Sequence, residues 1–299
     1  LQNLVLWLKF LDGLLYPEDI STLQEYIGYC LIPSNKGQRM MVIKGNGGEG
    51  KSQIGAVLGT LFGSNMKDGS IGKISENRFA RADLEHILLC VDDDMRMEAL
   101  RQTNYVKSIV TAQGKMDLER KGKQSYQGWM CARLLAFSNG DLQALFDRSD
   151  GFYRRQLVLT QKKNRLAVWM IPTWREDESE VEGILLWAFE GLQRLAANNF
   201  KFTESDRTRE NREAVKRDNN NVYDFLDSDG YVRLKADLSA SSKELYEAYQ
   251  DLLHREQPAC PETTQLQRSS DRLPEPLQSG ILQQCDQRSR TAGAWFSGG

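Results

Sequence analysis

The fold of this chain is decided by eight consecutive residues near its start, Gly45-Asn46-Gly47-Gly48-Glu49-Gly50-Lys51-Ser52. They fit the pattern G-x-x-x-x-G-K-[ST], which is typical of a phosphate-binding loop. Glycines let the backbone curl until successive N–H groups point inward at phosphate oxygens. In such a loop Lys51 reaches the β- and γ-phosphates and the Ser52 hydroxyl ligates Mg²⁺. We therefore expect a site for ATP and Mg²⁺ here, extending to Gln53.

The flanks of this loop agree with that interpretation. The apolar run 40–44 before it predicts a buried strand. After it, apolar residues recur at helical spacing and a glycine closes the run: Ile54, Val57, Leu58, Leu61, Phe62 and Gly63. A chance Gly-rich turn would not explain both flanks.

The composition is that of an ordinary folded domain. The chain has 299 residues, 40% hydrophobic and 27% charged, with a formal net charge of −2. It has no apolar run long enough to span a bilayer and no secretory signal, so we expect a cytoplasmic protein without a membrane partner. The five scattered cysteines predict reduced thiols and no zinc site. The first residue is not methionine, which suggests a piece of a longer chain.

The residue pattern predicts an α/β fold. Residues 1–32 are expected to form two helices, the first with one apolar face formed by Leu4, Leu8, Leu11 and Leu15. Between residues 40 and 160, strand-like runs alternate with helices, as in a parallel sheet. The predicted strands are Met41–Lys44, Ile87–Val91, Leu134–Ser138 and Gln156–Thr160.

The second half of the chain is expected to be helical at first. A helix over about 181–197 should bury Leu185, Ala188, Phe189, Leu192 and Leu195. Residues 204–220 predict a solvated helix that runs into a linker, and 241–253 an amphipathic helix. The last forty or so residues are rich in Gln, Ser, Arg and Pro without clear periodicity.

Acidic residues follow the second predicted strand. Asp92, Asp93 and Asp94 come directly after the apolar run 87–91. One acid of such a pair holds Mg²⁺, and the next orients or deprotonates the attacking water. We assign Asp92 to the metal and Asp93 to the water, with Asp94 as the substitute in either role. The alternative is a solvated acidic turn.

Two further strand ends carry candidate residues. Asn139 follows the third strand, where its amide can contact the γ-phosphate and the attacking water, although Ser-Asn-Gly is also a common turn. Arg154 and Arg155 precede the fourth strand. They are either a surface pair or a finger that reaches a neighbouring subunit's ATP and stabilises charge on the transferred phosphoryl group.

This order of motifs resembles the superfamily 3 helicases. The resemblance covers about residues 5–253 and is nearest to the helicase part of phage and plasmid primase-helicases, the group related to the poxvirus primase-helicase. Segments outside the loop also carry it: 7–11, 16–19, 26–29, 183–192 and 244–249. It implies an AAA+ P-loop NTPase core with a central parallel sheet, a helical segment before it and a helical or winged-helix-like unit after it.

The resemblance also implies how such a protein works. Subunits form a homo-oligomeric ring, usually a hexamer, with ATP bound between neighbours and single-stranded or forked DNA gripped in the channel by a basic loop or hairpin. The matching residues here are Lys107, Lys115, Arg120, Lys121 and Lys123. Lysine and arginine bind phosphates without reading sequence, which suits a translocating motor. The alternative is a solvated β-hairpin.

The chain departs from the family in three places. Thr111-Ala112-Gln113-Gly114 stands where the family usually carries Thr-Gly-Gly-Asp, and Asp93 stands where Glu is frequent. After about His254 a basic, Gly-containing strand is expected but absent. A shifted reading frame or a disordered tail would explain this ending.

Four domains are expected from these observations: a helical segment 1–39, the ATPase core 40–165, a helical extension 166–220 and a winged-helix-like unit 221–299. The predicted function is an ATP-dependent DNA helicase of phage or plasmid replication in a bacterial host cell, with a primase domain upstream. Two alternatives are a P-loop ATPase with another mobile-element or defence role, and a non-hydrolysing replication-initiation or DNA-binding module.

Overall fold

The computed structural model describes residues 4–46, 50–95, 100–144, 150–162, 178–218, 225–226 and 239–256. The chain divides into two compact units, residues 1–220 and 221–299. Within the described ranges, every helix is too short or too polar to cross a membrane. The division into four domains expected from the sequence stays a prediction.

A parallel sheet forms the centre of the first unit. The strands of this unit are β1 (Met40–Lys44), β2 (Met66–Asp68), β3 (Leu89–Asp92), β4 (Gly114–Leu118), β5 (Tyr126–Met130), β6 (Arg133–Ser138) and β7 (Gln156–Thr160). Five of them pair in the order β2-β3-β6-β1-β7, and every pairing is parallel. The inner strands β3, β6 and β1 are buried almost throughout, because helices cover both faces of the sheet. The predicted α/β fold with a parallel central sheet is confirmed.

The predicted strands are all present, and three of them begin at a different residue. β1 and β6 begin one residue earlier than predicted, at Met40 and Arg133, and β3 begins later. The run predicted from Ile87 becomes a strand only at Leu89. The N–H of Ile87 donates to the Leu84 carbonyl at 3.2 Å and closes a turn instead. The strand also extends to Asp92, so that the first acid of the acidic run is its last residue.

Helices cover both faces of this sheet. They are α1 (Val5–Leu14), α2 (Pro17–Cys30), α3 (Lys51–Phe62), α4 (Ile71–Glu76), α5 (Arg78–Ala82), α6 (Asn104–Thr111), α7 (Asp150–Tyr153), α8 (Glu178–Ala197) and α9 (Asp206–Asp218). One core cluster joins the sheet to α1, α2, α3 and α8, and a second joins its other face to α4, α6 and α9.

The buried face of α1 is rotated from the predicted one. Leu8 was expected in the core but is 42% exposed, whereas Trp7 is fully buried. Trp7 packs edge-on against Trp187 of α8, with 5.8 Å between ring centroids. Glu180 of α8 accepts hydrogen bonds from the N–H groups of Leu6 and Trp7, both at 2.9 Å. Contact with α8 therefore decides which side of α1 faces inward.

The buried face of α8 is rotated as well. Phe189 was predicted to be buried but is 46% exposed, and Ile184 and Trp187 are buried in its place. The reason is a very close approach of α8 to α2. A Cβ on Gly28 would lie 2.2 Å from the Ala188 carbonyl oxygen, and a Cβ on Gly191 would lie 2.5 Å from that of Gln24. The two helices touch along the line through these glycines. Phe189 lies on another side of α8 and therefore faces away from α2.

Helix α9 was predicted to be solvated, and this is wrong for one of its faces. Val215 is 3% exposed and belongs to the second core cluster. The Asn211 amide donates to the Val158 carbonyl of β7 at 3.0 Å. The helix therefore covers the β7 side of the sheet. The sequence does not indicate this buried face, because charged residues on the outer face dominate its composition.

In the second unit, helix α10 (Ser242–Glu256) occupies the position predicted for an amphipathic helix. Ser241 and Glu244 form a reciprocal capping box at its start, with hydrogen bonds of 3.2 and 2.8 Å. Phe225 packs edge-on against Tyr249 at 5.3 Å. The expected winged-helix-like unit lies largely, and the tail 257–299 entirely, outside the described residues.

Candidate functional site

The loop 45–52 joins β1 to α3, as its pattern predicts. Gly50 has a φ of 98°, a left-handed conformation that glycine adopts without strain, and α3 begins at the next residue. The Gly45 N–H donates to the Ser138 carbonyl at 3.0 Å, which ties the loop to β6. Gly47, Gly48 and Glu49 lie outside the described residues. Asn46 and Ser52 are exposed, and Gln53 lies in the first turn of α3.

Lys51 and Asn139 meet at this edge. The Lys51 ammonium donates to Oδ1 of Asn139 at 2.7 Å. Asn139 directly follows β6, the strand that pairs with β1 with Lys44 opposite Ser138. An ammonium group and an amide at the mouth of a glycine-rich turn can bind a phosphate together, since both carry N–H donors.

The acidic residues lie at the carboxyl end of β3, the strand on the other side of β6 from β1. Asp92 lies opposite Ala136 of β6, and the Met95 N–H donates to the Phe137 carbonyl at 3.1 Å. β3 is thus one strand removed from β1, a separation of roughly 10 Å. This distance suits residues that share a nucleotide and its metal ion.

The three acids differ in environment. Asp92 is 6% exposed, and its Oδ2 accepts a hydrogen bond from the Ile71 N–H at 2.7 Å. Burial raises the pKa of this carboxyl group, opposed by the Ile71 hydrogen bond, and the nearby charges of Asp94 and Asp93 raise it further. Asp93 and Asp94 are exposed. Mg²⁺ usually takes one or two carboxylates plus phosphate and water oxygens, so this set fits a magnesium ion beside a bound nucleotide.

The two arginines are held differently. Arg155 turns back and donates to the Gly151 carbonyl within its own segment. The Arg154 side chain is exposed, while its backbone carbonyl accepts a hydrogen bond from Arg39. Of the pair, Arg154 is therefore the one exposed to solvent.

The basic residues divide between a helix and a hairpin. β4 and β5 pair in antiparallel fashion, with Lys115 opposite Trp129. Lys121 and Lys123 are exposed in the turn between these strands. Lys107, by contrast, lies half-buried on α6, before the hairpin.

Arg120 is engaged within the protein. Its guanidinium donates to Glu85 and to the Tyr126 hydroxyl, both at 2.9 Å. The Tyr126 hydroxyl also donates to Glu85 at 2.6 Å, and these hydrogen bonds, with the nearby positive charges, lower the pKa of Glu85. Arg120 therefore secures the base of the turn, and the outer lysines are the more accessible cations.

Sequence reasoning missed Trp129, which is 55% exposed. An indole beside Lys115 offers a stacking surface next to a cation, a combination that suits unpaired nucleic acid. The signal was present in the alternation along β5, where Gly128 and Met130 are buried and Gln127 and Trp129 face outward.

Comparisons with known proteins give the following similarities. A family described as being of unknown function (DUF5906) matches residues 43–155, from β1 to the arginine pair. No curated protein matches the chain. The chain is similar to apo structures of the NrS-1 C-terminal region, in one case with 17% identity and a TM-score of 0.47 over 70% of this chain and 50% of that one. Another structure of that region gives 15% identity and a TM-score of 0.44 over 82% and 51%.

A structure of JCV helicase is also similar, with 14% identity and a TM-score of 0.37 over 72% of this chain and 58% of that one. The chain spans about half of the NrS-1 region and 58% of JCV helicase.

Proposed function

We propose that this chain is the motor part of a ring-forming DNA helicase that hydrolyses ATP with Mg²⁺. The observation that carries this proposal is the 2.7 Å hydrogen bond from Lys51 to Asn139. It joins Lys51, near the end of the phosphate-binding pattern, to Asn139, which follows the adjacent strand β6. Asp92, the last residue of β3, lies at the same edge of the sheet. A Gly-rich turn formed by chance would have no reason to contact Asn139 at the edge of the sheet where Asp92 also lies.

Each group at this edge has a role that follows from its chemistry. Lys51 and the backbone N–H groups of the loop bind the phosphates, and Ser52 and Asp92 hold Mg²⁺. Bound magnesium neutralises phosphate charge and favours the ionised form of Asp92, which burial otherwise disfavours. Asp93 orients or deprotonates the attacking water, and Asn139 contacts the γ-phosphate.

A neighbouring subunit completes the site in this proposal. Arg154 is exposed, and a guanidinium supplied by another subunit can stabilise the charge that develops during phosphoryl transfer. ATP then lies between like subunits, so that hydrolysis can alter the contact between them. Replication of a phage or plasmid, with a primase domain upstream, is the context that the sequence resemblance suggests.

The hairpin supplies the DNA contact. Lys115, Lys121 and Lys123 are exposed and bind backbone phosphates, while Trp129 stacks on a base. Neither contact reads sequence, as a motor that moves over any sequence requires.

The nucleotide site is tested with Lys51→Ala. Loss of a charged donor to the phosphates should lower ATP turnover about a hundredfold or more, and unwinding with it. Folding should survive, because the Lys51–Asn139 bond is exposed. Lys201→Ala, which removes an exposed lysine after α8, is the matched control and should behave as the wild type. Undiminished ATPase activity of Lys51→Ala would contradict the assignment.

The arginine assignment is tested by mixing two inactive variants. Lys51→Ala and Arg154→Ala subunits should each fail to hydrolyse ATP alone. If the finger acts between subunits, mixed rings contain some interfaces with both groups intact, and activity returns in part. An inactive mixture, with mixed assembly shown by sedimentation, would exclude Arg154 as the finger.

The DNA contact is tested by separating charge from stacking. Lys121→Ala with Lys123→Ala should lower the slope of log K against log salt by about 0.7 for each phosphate of single-stranded DNA that is no longer neutralised. Trp129→Ala should weaken binding by roughly 1–3 kcal/mol without changing that slope. Lys36→Ala with Lys201→Ala removes the same charge elsewhere on the surface as a control. If DNA-stimulated ATPase is unchanged in the hairpin variants, an ATPase with another role becomes the better interpretation.

A further inference from the structure

Gln161 is a buried amide aimed at the phosphate-binding loop. It directly follows β7 and is 3% exposed. Both polar atoms of its amide are buried, and neither has a hydrogen-bond partner among the described residues. A buried amide without partners is costly to the folded protein, so such a group calls for an explanation.

The backbone of Gln161 is fixed on two sides. Its N–H donates to the Lys44 carbonyl of β1 at 2.9 Å. On the other side it forms a bridge with Leu15, and the N–H of Lys162 donates to the Leu14 carbonyl at 2.9 Å. These contacts fix the backbone position from which the Gln161 side chain extends.

The Gln161 amide lies beside two residues of the phosphate-binding loop, Gly45 and Lys51. A Cβ on Gly45 would lie 2.2 Å from Oε1 of Gln161 and 2.9 Å from the Lys51 nitrogen. Both polar groups thus lie within 2.9 Å of one point, and only a glycine at position 45 leaves that point open. The first glycine of the loop makes room for Gln161 as well as for the turn itself.

The sheet places Gln161 as the counterpart of Asn139. In the pairing of β1 with its two neighbours, Lys44 is level with Ser138 of β6 and with Thr160 of β7. The next residues on those neighbours are Asn139 and Gln161. Two amides therefore flank the loop, one from each adjacent strand, with Lys51 near both.

We propose that Gln161 is a nucleotide-binding residue, a second amide that contacts the triphosphate from the β7 side of the loop. Its Nε2–H donates to a phosphate oxygen, and its Oε1 accepts from the Lys51 ammonium. An amide can make both contacts at once, because it carries a donor and an acceptor. This inference rests on the proposed nucleotide site and adds a contact that the loop motif does not include.

The test is Gln161→Met, which keeps the length of the side chain and removes its polar atoms. Affinity for a fluorescent ATP analogue, measured by equilibrium titration of the full chain with Mg²⁺, should fall roughly tenfold. The thermal midpoint without nucleotide should stay the same or rise, because a buried amide without partners is removed. Gln161→Glu places a carboxylate beside the phosphates and should weaken binding further.

Gln156→Met is the matched control. Gln156 is 1% exposed on the same strand, and its Oε1 also has no partner among the described residues, but it pairs with Met40 at the far end of β1. This variant should bind the analogue as the wild type does.

The outcomes separate the two proposals. Wild-type affinity in Gln161→Met, together with loss of binding in Lys51→Ala, overturns the role of Gln161 and leaves the nucleotide site standing. A lowered thermal midpoint of Gln161→Met without nucleotide, with affinity retained, identifies a structural role and also overturns it. If the wild-type chain binds no analogue, both proposals fail.

Discussion

The contact between α2 and α8 gives a sharp test of how the first unit is packed. Gly28→Ala adds one methyl group where α2 touches the other helix. That Cβ would lie 2.2 Å from the Ala188 carbonyl oxygen and 2.7 Å from the Leu192 nitrogen. Both obstacles are backbone atoms of a helix, so no side chain can move aside, and the helices must separate by about 1 Å to restore normal contact.

The expected cost follows from two opposing effects. Overpacking typically costs about 1–3 kcal/mol, and the upper end applies here because backbone must move. Alanine is intrinsically better than glycine in a helix by about 1 kcal/mol. Gly28→Ala should therefore lower the free energy of unfolding by about 2 kcal/mol. For a unit of this size, the thermal midpoint should fall by roughly 4–8 °C.

Gly59→Ala is the control. Gly59 lies inside α3, and a Cβ there would meet nothing within 4 Å, so only the gain in helix propensity remains. Its midpoint in a melt followed by circular dichroism should rise by roughly 2–4 °C. Gly191→Ala, added to Gly28→Ala, should cost less than it does alone, because the helices have already separated. A Gly28→Ala protein as stable as the wild type, or strict additivity of the pair, would refute this description of the contact.

Three further predictions concern buried polar groups. Asp92→Asn should raise the free energy of unfolding at pH 7 while abolishing Mg²⁺-dependent ATP hydrolysis. Burial raises the pKa of the Asp92 carboxyl above 3.8, so the wild type loses stability as pH rises from 3.8 through the raised pKa. A variant less stable than the wild type in denaturant titrations at pH 7 would contradict this. Arg133→Met should lower the free energy of unfolding by about 3 kcal/mol in the same titration. The reason is that the buried guanidinium donates to carbonyls at the end of α2, including that of Cys30 at 2.8 Å. An unchanged free energy of unfolding would show that these hydrogen bonds contribute nothing. Burial raises the pKa values of the Cys30 and Cys90 thiols to about 12. Iodoacetamide at pH 8 should therefore leave both thiols unmodified until the protein unfolds. Rapid modification of either cysteine in the folded protein, seen by peptide mass spectrometry, would rule out this burial.

Much of the candidate site could be predicted because its residues follow strand ends. A strand, a glycine-rich turn and a helix form a local unit, so the spacing of Gly45, Gly50 and Lys51 predicts their arrangement without knowledge of the rest of the chain. The acidic run and Asn139 each follow an apolar run that is long enough for a strand. Parallel strands of one sheet end at the same edge, which is why residues so far apart in the chain could be expected together.

The helix faces could be predicted less well. The spacing of apolar residues in α1 and α8 predicts amphipathic helices, and both are present. Leu8 and Phe189 are nevertheless exposed, since each helix is rotated by its partner. A helix with apolar residues on more than one side can present several faces to a core, and the choice between them is made by contacts that the periodicity does not contain.

By itself, the sequence determined that the chain forms a parallel α/β sheet with a phosphate-loop pattern at the carboxyl edge, because local spacing is sufficient to specify strands, the turn and the helix that follows. Only the tertiary structure decided that β7 lies beside β1, that Gln161 points at Gly45, and that Arg154 rather than Arg155 faces outward. The physical reason is that strand order and side-chain direction depend on contacts between residues distant in the chain. Nothing in the residues around Gln161 reveals that the loop lies next to it.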